Sequence, residues 1–151
     1  MSKVAFVKIK HEKKGVHKAV WRAMKLANWK KYVKGNKIFL KINGISDQLV
    51  PGQCTSPWVL EAVLEILTKN LNSEFYVGDA NLAAAKQLNR AARIWGFKKI
   101  AKKYGAEFVN LSEEPLVKVD FGGKILRLME VPKILLDVDC IVTYQLQRLI
   151  A

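Results

Sequence analysis

The sequence predicts an α/β protein with three layers, in which helices cover both faces of a mostly parallel sheet. Hydrophobic segments of strand length alternate with amphipathic segments of helix length along the 151 residues. Strands separated by helices of about 15 residues favour parallel pairing through right-handed crossovers. A hydrophobic content of 50% excludes a disordered chain. The length predicts a single domain, residues 1–151, with enough chain for a core.

The first half of the chain supplies two predicted strands and two predicted helices. They are, in order, 4–9 (strand), 16–33 (helix), 37–42 (strand) and 57–71 (helix). In the first helix, Val16, Val20 and Met24 fall on one face, as helical periodicity requires. The second helix has an N-terminal signal, because Ser56 is a favourable N-cap and Pro57 suits the first helical position.

The second half continues the alternation and adds a hairpin. The predicted elements are 74–77 (strand), 81–95 and 97–104 (helices), 107–111 (strand), 116–121 and 124–129 (hairpin strands), 132–136 (helical turn) and 139–143 (strand). Gly122-Gly123 between the hairpin strands is a strong signal for a two-residue turn. We therefore expect an antiparallel β-hairpin near 116–129 as an accessory at one edge of the sheet.

The positive charge is concentrated near the N-terminus. The chain has a net charge of +13. Residues 1–41 carry 13 of the 26 Lys and Arg residues and a single acidic residue, Glu12. This block predicts either a nucleic-acid- or polyanion-binding module or a solvated, lysine-rich face. Trp21, Trp29 and Tyr32 lie within it, and their spacing suits helix packing as well as base stacking. The candidate polyanion-binding residues are Lys10, Lys13, Lys14, Lys18, Arg22 and Lys25.

A second candidate site lies where two predicted strands end. Lys41 and Asn43 end one strand, Gly78 and Asp79 end the next, and Thr55 precedes a helix whose amino end attracts anions. Because open α/β sheets bind ligands at the carboxyl ends of their strands, these residues predict a site for an anionic small molecule or phosphate. The alternatives are structural: turn formation at Asn43, and an N-cap or Asx turn at Asp79.

Several other chemistries are excluded or disfavoured. The chain has neither a GxGxxG nor a GxxxxGK[ST] motif, so no dinucleotide fingerprint or P-loop is predicted. No membrane partner is expected, because no run of about 18 apolar residues occurs. His11 and His17 lack a ligand cluster, so no metal site is predicted. Cys54 and Cys140 are isolated, which favours buried thiols in a reducing, cytoplasmic location, and Cys54 is the thiol to test for reactivity.

The ordered set of segments resembles the domain of unknown function 362 family. The segments are 20–43 with its Ile38-Phe39-Leu40-Lys41-Ile42-Asn43 strand end, Thr55 before the Pro57 helix, Val77-Gly78-Asp79-Ala80, 103–111, and the strand 137–142. The resemblance covers almost the whole chain and corresponds to the N-terminal half of a larger family unit. Ile42 stands where the family has proline in a Lys-Pro-Asn-like element, which implies a less rigid loop.

The resemblance leaves enzyme activity open. The family continues into a Lys- and His-bearing motif where this chain reaches residues 145–151, which implies a domain incomplete as a catalyst. A further alternative is an assembly half, completed by a partner chain or a second copy that pairs at the sheet edge near Val142. Some family members carry a ferredoxin-like module, which needs four cysteines per cluster, so two isolated cysteines imply no iron–sulfur cofactor here.

Overall fold

The computed structural model describes residues 4–10, 14–82, 87–125 and 127–143. The helices are α1 (Gly15–Leu26), α2 (Pro57–Asn70), α3 (Leu88–Ile94), α4 (Phe97–Lys103) and α5 (Ile134–Asp137), with a 3-10 turn at Trp29–Lys31. The strands are β1 (Lys37–Lys41), β2 (Glu74–Asp79), β3 (Glu107–Asn110), β4 (Leu116–Asp120), β5 (Leu128–Pro132) and β6 (Cys140–Thr143). Within these ranges no helix has the length and apolar character needed to cross a membrane.

Four parallel strands form the main sheet, in the order β3-β2-β1-β6. The chain moves from β1 through β2 to β3 on one side and then returns to place β6 on the other side of β1. At the carboxyl end of β1, Lys41 is in register with Gly78 of β2 and with Thr143 of β6. The predicted α/β fold with a parallel sheet is confirmed. All four strands are parallel, and the order in which the chain adds them to the sheet reverses between β1 and β6.

Both faces of the sheet are covered, which explains why the three central residues of β1, Ile38, Phe39 and Leu40, are all apolar and buried. Ile38, Leu40 and Ile42 are fully buried in a core cluster that includes α2 and α4. On the opposite face, Phe39 packs in a smaller cluster that includes residues of α5. The sheet is therefore held rigidly beneath the loops that follow β1 and β2.

The predicted hairpin is present and forms a two-stranded sheet of its own. Its strands pair antiparallel from Leu116↔Pro132 to Asp120↔Leu128. The predicted two-residue turn is wrong, because the strands end at Asp120 and begin again at Leu128. A carboxylate oxygen of Asp120 accepts the Gly122 N–H at 2.8 Å, so an aspartate-based turn starts a longer connection.

Two predictions for the N-terminal region are wrong. Residues 4–10 form no strand, and Val4 and Phe6 are 93% and 94% exposed. Residues 4–10 pair with neither edge strand of the main sheet, β3 or β6, so the alternating pattern is not stabilised by a strand partner. The helix predicted to residue 33 ends at Leu26, because Asn28 takes a left-handed conformation with φ 55°.

The other elements lie within a few residues of their predicted bounds, except around 81–95. Helix α2 begins after Ser56 with Pro57 in the first turn, as predicted. Of the helix predicted over 81–95, the described part is helical only from Leu88 to Ile94, and residues 83–86 lie outside the described ranges. Strand β6 is an edge strand, and a partner for it stays a prediction.

Candidate functional site

The five residues predicted at the strand ends, Lys41, Asn43, Thr55, Gly78 and Asp79, are brought together and are called here the strand-end cluster. Parallel pairing of β1 with β2 places Lys41 beside Gly78, so the two strand ends meet at one edge of the sheet. The ammonium nitrogen of Lys41 lies 2.8 Å from Oδ1 of Asp79. Thr55 and Asn43 close the loop between β1 and α2.

Asp79 is the electrostatic centre of this cluster. It is buried, with 5% of its surface exposed, so its carboxylate requires partners inside the protein. Its Oδ2 accepts the Gly44 N–H at 2.9 Å, and its Oδ1 accepts the Ala80 N–H at 2.9 Å as well as the Lys41 ammonium. One carboxylate thus ties together the loops that follow β1 and β2.

Asn43 and Thr55 form a reciprocal pair across the loop. The Thr55 N–H donates to the Asn43 carbonyl at 2.8 Å, and the Asn43 N–H donates to the Thr55 hydroxyl oxygen at 2.8 Å. The Asn43 side-chain amide also donates to the Gln53 carbonyl at 2.9 Å. Because Thr55 is 2% exposed, its hydroxyl serves the loop rather than the surface.

Gly78 owes its identity to close packing within the sheet. A Cβ at this position would collide with the Val109 carbonyl oxygen and would come within 3.0 Å of the Phe39 ring. The space beside Gly78 is therefore filled by β3 and β1, and the residue lets Phe39 pack against β2.

Lys41 is the member of the cluster that reaches the surface. Its side chain is 45% exposed, and its ammonium donates to the Ile42 carbonyl at 3.2 Å in addition to Asp79. Among the described residues these are its two acceptors, which leaves one of its three N–H groups for a ligand. Thr143, at the end of β6, is paired in register with Lys41, at the point where the strand order of the sheet reverses.

The loop after β1 contains further polar groups that sequence analysis missed. The Ser46 carbonyl accepts hydrogen bonds from the Trp95 indole N–H at 2.9 Å and the Cys54 thiol at 3.3 Å. The side-chain oxygen of Gln53 is buried, and no described residue donates to it. The contact of Trp95 with Ser46 joins parts of the chain 49 residues apart, so no local sequence pattern signals it.

Both cysteines are free thiols. Cys54 is buried, as predicted, and this burial raises the pKa of its thiol above the usual value. Cys140 is half-buried, with its sulfur 3.8 Å from the Tyr32 carbonyl. In the described ranges no group of three or more His, Cys, Asp or Glu side chains is placed to hold a metal ion.

A second site lies between α1 and α2, in a cavity of about 800 Å³ that we call the basic groove. Five of its lining residues are cationic: Lys14, Lys18, Arg22, Lys25 and Lys69. Four of these belong to the predicted polyanion-binding set. Lys10 lines two neighbouring cavities, and Lys13 lies outside the described residues.

Glu65 is the one carboxylate among the described residues that line the groove. It pairs with Lys69 at 2.5 Å and with His17 at 2.9 Å. The hydrogen bond from Lys69 is the main reason that the pKa of Glu65 lies below its ordinary value. Trp21 is 52% exposed in the same groove, and the Lys25 ammonium lies 5.0 Å from its ring centroid.

Comparison with known families gives a match that covers most of the chain. A family model described as a domain of unknown function (DUF362) matches residues 38–145, most of the chain, and confirms the resemblance. The matched part contains the whole strand-end cluster, whereas the groove residues on α1 precede it. No curated protein and no solved structure gives a significant match.

Proposed function

The chain belongs to the domain of unknown function 362 family, and from the strand-end cluster we propose that it binds an anionic small molecule at Lys41. The observation that carries this proposal is the half-exposed Lys41 side chain, whose ammonium is held by buried Asp79, at the carboxyl edge of the sheet where the strand order reverses. Ligands of open α/β sheets bind in the crevice at such a position.

The cluster supports this function by holding the cation in place before a ligand arrives. A free lysine loses side-chain entropy when it is immobilised, and the contacts of Lys41 with Asp79 and Ile42 have already removed much of that freedom. A lysine ammonium binds a phosphate or carboxylate as a point charge. In this proposal Lys41 contacts the ligand, while Asn43, Thr55, Gly78 and Asp79 position the two loops.

The same geometry limits the affinity. Asp79 offsets the charge of Lys41, so a single remaining N–H donor supports a dissociation constant on the order of a millimolar. We therefore assign ligand binding, rather than catalysis by this chain alone, to the cluster. Tight binding would need further groups on the ligand that contact the loop after β1.

A thermal-shift experiment with inorganic phosphate and small carboxylates tests the proposal. A ligand at about ten times its dissociation constant adds roughly 1.4 kcal/mol of stability, which is about 3–5 °C for a chain of this size. Lys41→Met should abolish the shift. Lys37→Met is the matched control, because Lys37 lies on the same strand with 44% exposure and an acidic neighbour, Glu74. Equal shifts in wild type and Lys41→Met would refute the proposal.

The basic groove favours a second candidate function, binding of a polyanion. The observation is a recessed cavity in which five cationic side chains face a single carboxylate among the described lining. Because such binding releases counterions, its affinity should fall steeply with salt concentration.

Replacing the cations of the groove tests this second candidate. Lys14→Gln, Arg22→Gln and Lys25→Gln together should weaken inorganic polyphosphate binding at least tenfold and flatten its salt dependence, by the loss of about three charge contacts. The control replaces three exposed cations outside the groove lining, Arg93 of α3 and Lys99 and Lys102 of α4, with glutamine. Similar losses in the two variants would mean that net charge, rather than the groove, determines binding.

A further inference from the structure

We propose that the basic groove binds single-stranded nucleic acid, with bases stacked on Trp21 and Trp58 and phosphates held by the neighbouring cations. This inference rests on the polyanion-binding function and names its ligand class. It follows from the continuity of the groove, the exposure of its aromatic rings and the alternation of those rings with cations.

The groove extends beyond the main cavity in both directions. A cavity of about 350 Å³, lined by Trp58, shares Lys14 and His17 with it. A cavity of about 300 Å³, lined by Trp29, shares Trp21 and Lys25 with it. The three cavities therefore adjoin one another along the seam between α1 and α2, and together they are called here the track.

Tryptophan side chains line this track where they are accessible to a ligand. Trp58 is 68% exposed and Trp21 is 52% exposed, although tryptophan is usually among the most buried residues. Trp29 is half-buried at the third cavity. Bases can stack on such rings without regard to sequence, because every base has a π face.

Cations lie between and beside these rings. Lys14 lines the cavity of Trp58 and the main cavity, whereas Arg22 and Lys25 lie with Trp21. Lys30 follows at the far end, 5.7 Å from the centroid of the Trp29 ring. The twelve residues of α1 span about 18 Å, the length of roughly five nucleotides at the rise of a stacked strand.

This alternation favours a single strand over a duplex or a membrane. A duplex hides the faces of its bases, so the tryptophan rings would add nothing to its binding. An anionic membrane would be contacted by rings that project beyond the cations. Here Trp21 and Lys25 line the same recess between α1 and α2, so ring and cation face the same ligand.

Binding of a fluorescently labelled oligothymidine of about ten nucleotides tests the inference. The full chain should bind it more tightly than a duplex with the same number of phosphates. Trp21→Leu should lower that affinity about tenfold, and Trp58→Leu should act in the same direction. Tyr32→Leu is the matched control, since Tyr32 is 54% exposed beside Lys31 but is not among the residues that line the groove.

Inorganic polyphosphate separates the inference from the function on which it rests. Trp21→Leu should reduce oligothymidine affinity by a much larger factor than polyphosphate affinity, because polyphosphate has no base to stack, whereas the Lys14, Arg22 and Lys25 variant should lose both ligands. Polyphosphate binding without oligothymidine binding would overturn the inference alone, and binding of neither would overturn both. Tighter duplex binding, capture by phosphatidylserine vesicles in place of the oligonucleotide, or wild-type oligonucleotide affinity in both tryptophan variants would also overturn it.

Discussion

The strand-end cluster and the basic groove differ in how their charges are balanced. In the cluster, buried Asp79 meets the Lys41 ammonium and two backbone N–H groups, and Asn43 and Thr55 satisfy one another. In the groove, five cationic side chains face Glu65, the single described carboxylate of the lining. The cluster is thus largely satisfied by the protein, whereas the groove presents an excess of charge.

This difference predicts two kinds of mutational effect. A buried polar group that loses its partner destabilises the fold, because its desolvation is no longer compensated. A surface cation contributes little to stability but can contribute to ligand binding. Substitutions in the cluster should therefore change mainly the free energy of unfolding, and substitutions in the groove mainly affinity.

The largest effect is expected for Gly78→Ala in the cluster. The added methyl group would collide with the backbone carbonyl of Val109, which cannot move without disturbing the pairing of β2 with β3. We expect a loss of about 3 kcal/mol in urea unfolding, the upper range for overpacking. Gly44→Ala is the control, because its new methyl group would clash with the terminal Cδ1 of the Leu88 side chain rather than with backbone and would meet Ile42 at an ordinary contact distance. Equal losses would contradict packing as the reason for Gly78.

A smaller loss, about 2 kcal/mol, is expected for Asp79→Ala. This variant leaves the Gly44 N–H without its acceptor in a buried position. Lys41→Met removes the other partner of the ion pair, but Asp79 keeps its two backbone N–H donors. Because the Lys41 side chain is half-exposed, this variant should lose less than about 1 kcal/mol of stability. Urea unfolding of both variants measures the contrast. A larger loss for Lys41→Met would show that the ion pair, rather than the N–H contacts, stabilises the loops.

Thr55→Val should cost about 1 kcal/mol, because it preserves shape but removes the acceptor of the Asn43 N–H. Thr68→Val is the control within α2. The hydroxyl of Thr68 donates to the Leu64 carbonyl, a group in the helical backbone, so its loss should be nearly neutral. A comparable cost for both variants would mean that β-branched packing, and not the loop contact, makes Thr55 important.

The sequence predicted the strand-end cluster better than the groove for a physical reason. Lys41 and Asp79 follow apolar strands, and parallel strands bring their carboxyl ends together whatever the details of the loops. The approach of Lys41 to Asp79 was not predictable, because it depends on how the side chain bends over the end of the strand. The placement of β6 beside β1, which reverses the strand order, was also not predictable, since strand order depends on contacts between distant parts of the chain.

For the groove, the sequence revealed the charge but not the residues that form its second wall. The charge excess of residues 1–41 was visible in the sequence, but the wall formed by Glu65 and Lys69 lies on a helix for which the sequence predicted bounds and an N-terminal signal and no groove. The failed strand at 4–9 has a related cause. Alternation of apolar and polar residues predicts an extended segment without revealing whether a neighbouring strand is present to pair with it.

The smallest expected change sharpens the groove side of the comparison. Glu65→Gln removes the groove's described carboxylate, so polyphosphate affinity should rise roughly threefold, the effect of one partly screened charge. Glu61→Gln is the control, because Glu61 lies one turn earlier on α2 and pairs at 2.5 Å with Lys103, away from the groove lining. Equal gains in the two variants would attribute the effect to net charge.

The same substitution has a pH signature. Because the pKa of Glu65 lies below its ordinary value of 4.5 in the folded protein, its ion pair with Lys69 stabilises the fold above that value. That contribution is lost as the pH falls through the lowered pKa, where the folded carboxylate takes up a proton. Glu65→Gln should therefore be less stable than wild type at neutral pH and should converge with it in acid. A constant difference across this range would show that Lys69 and Glu65 do not interact as an ion pair.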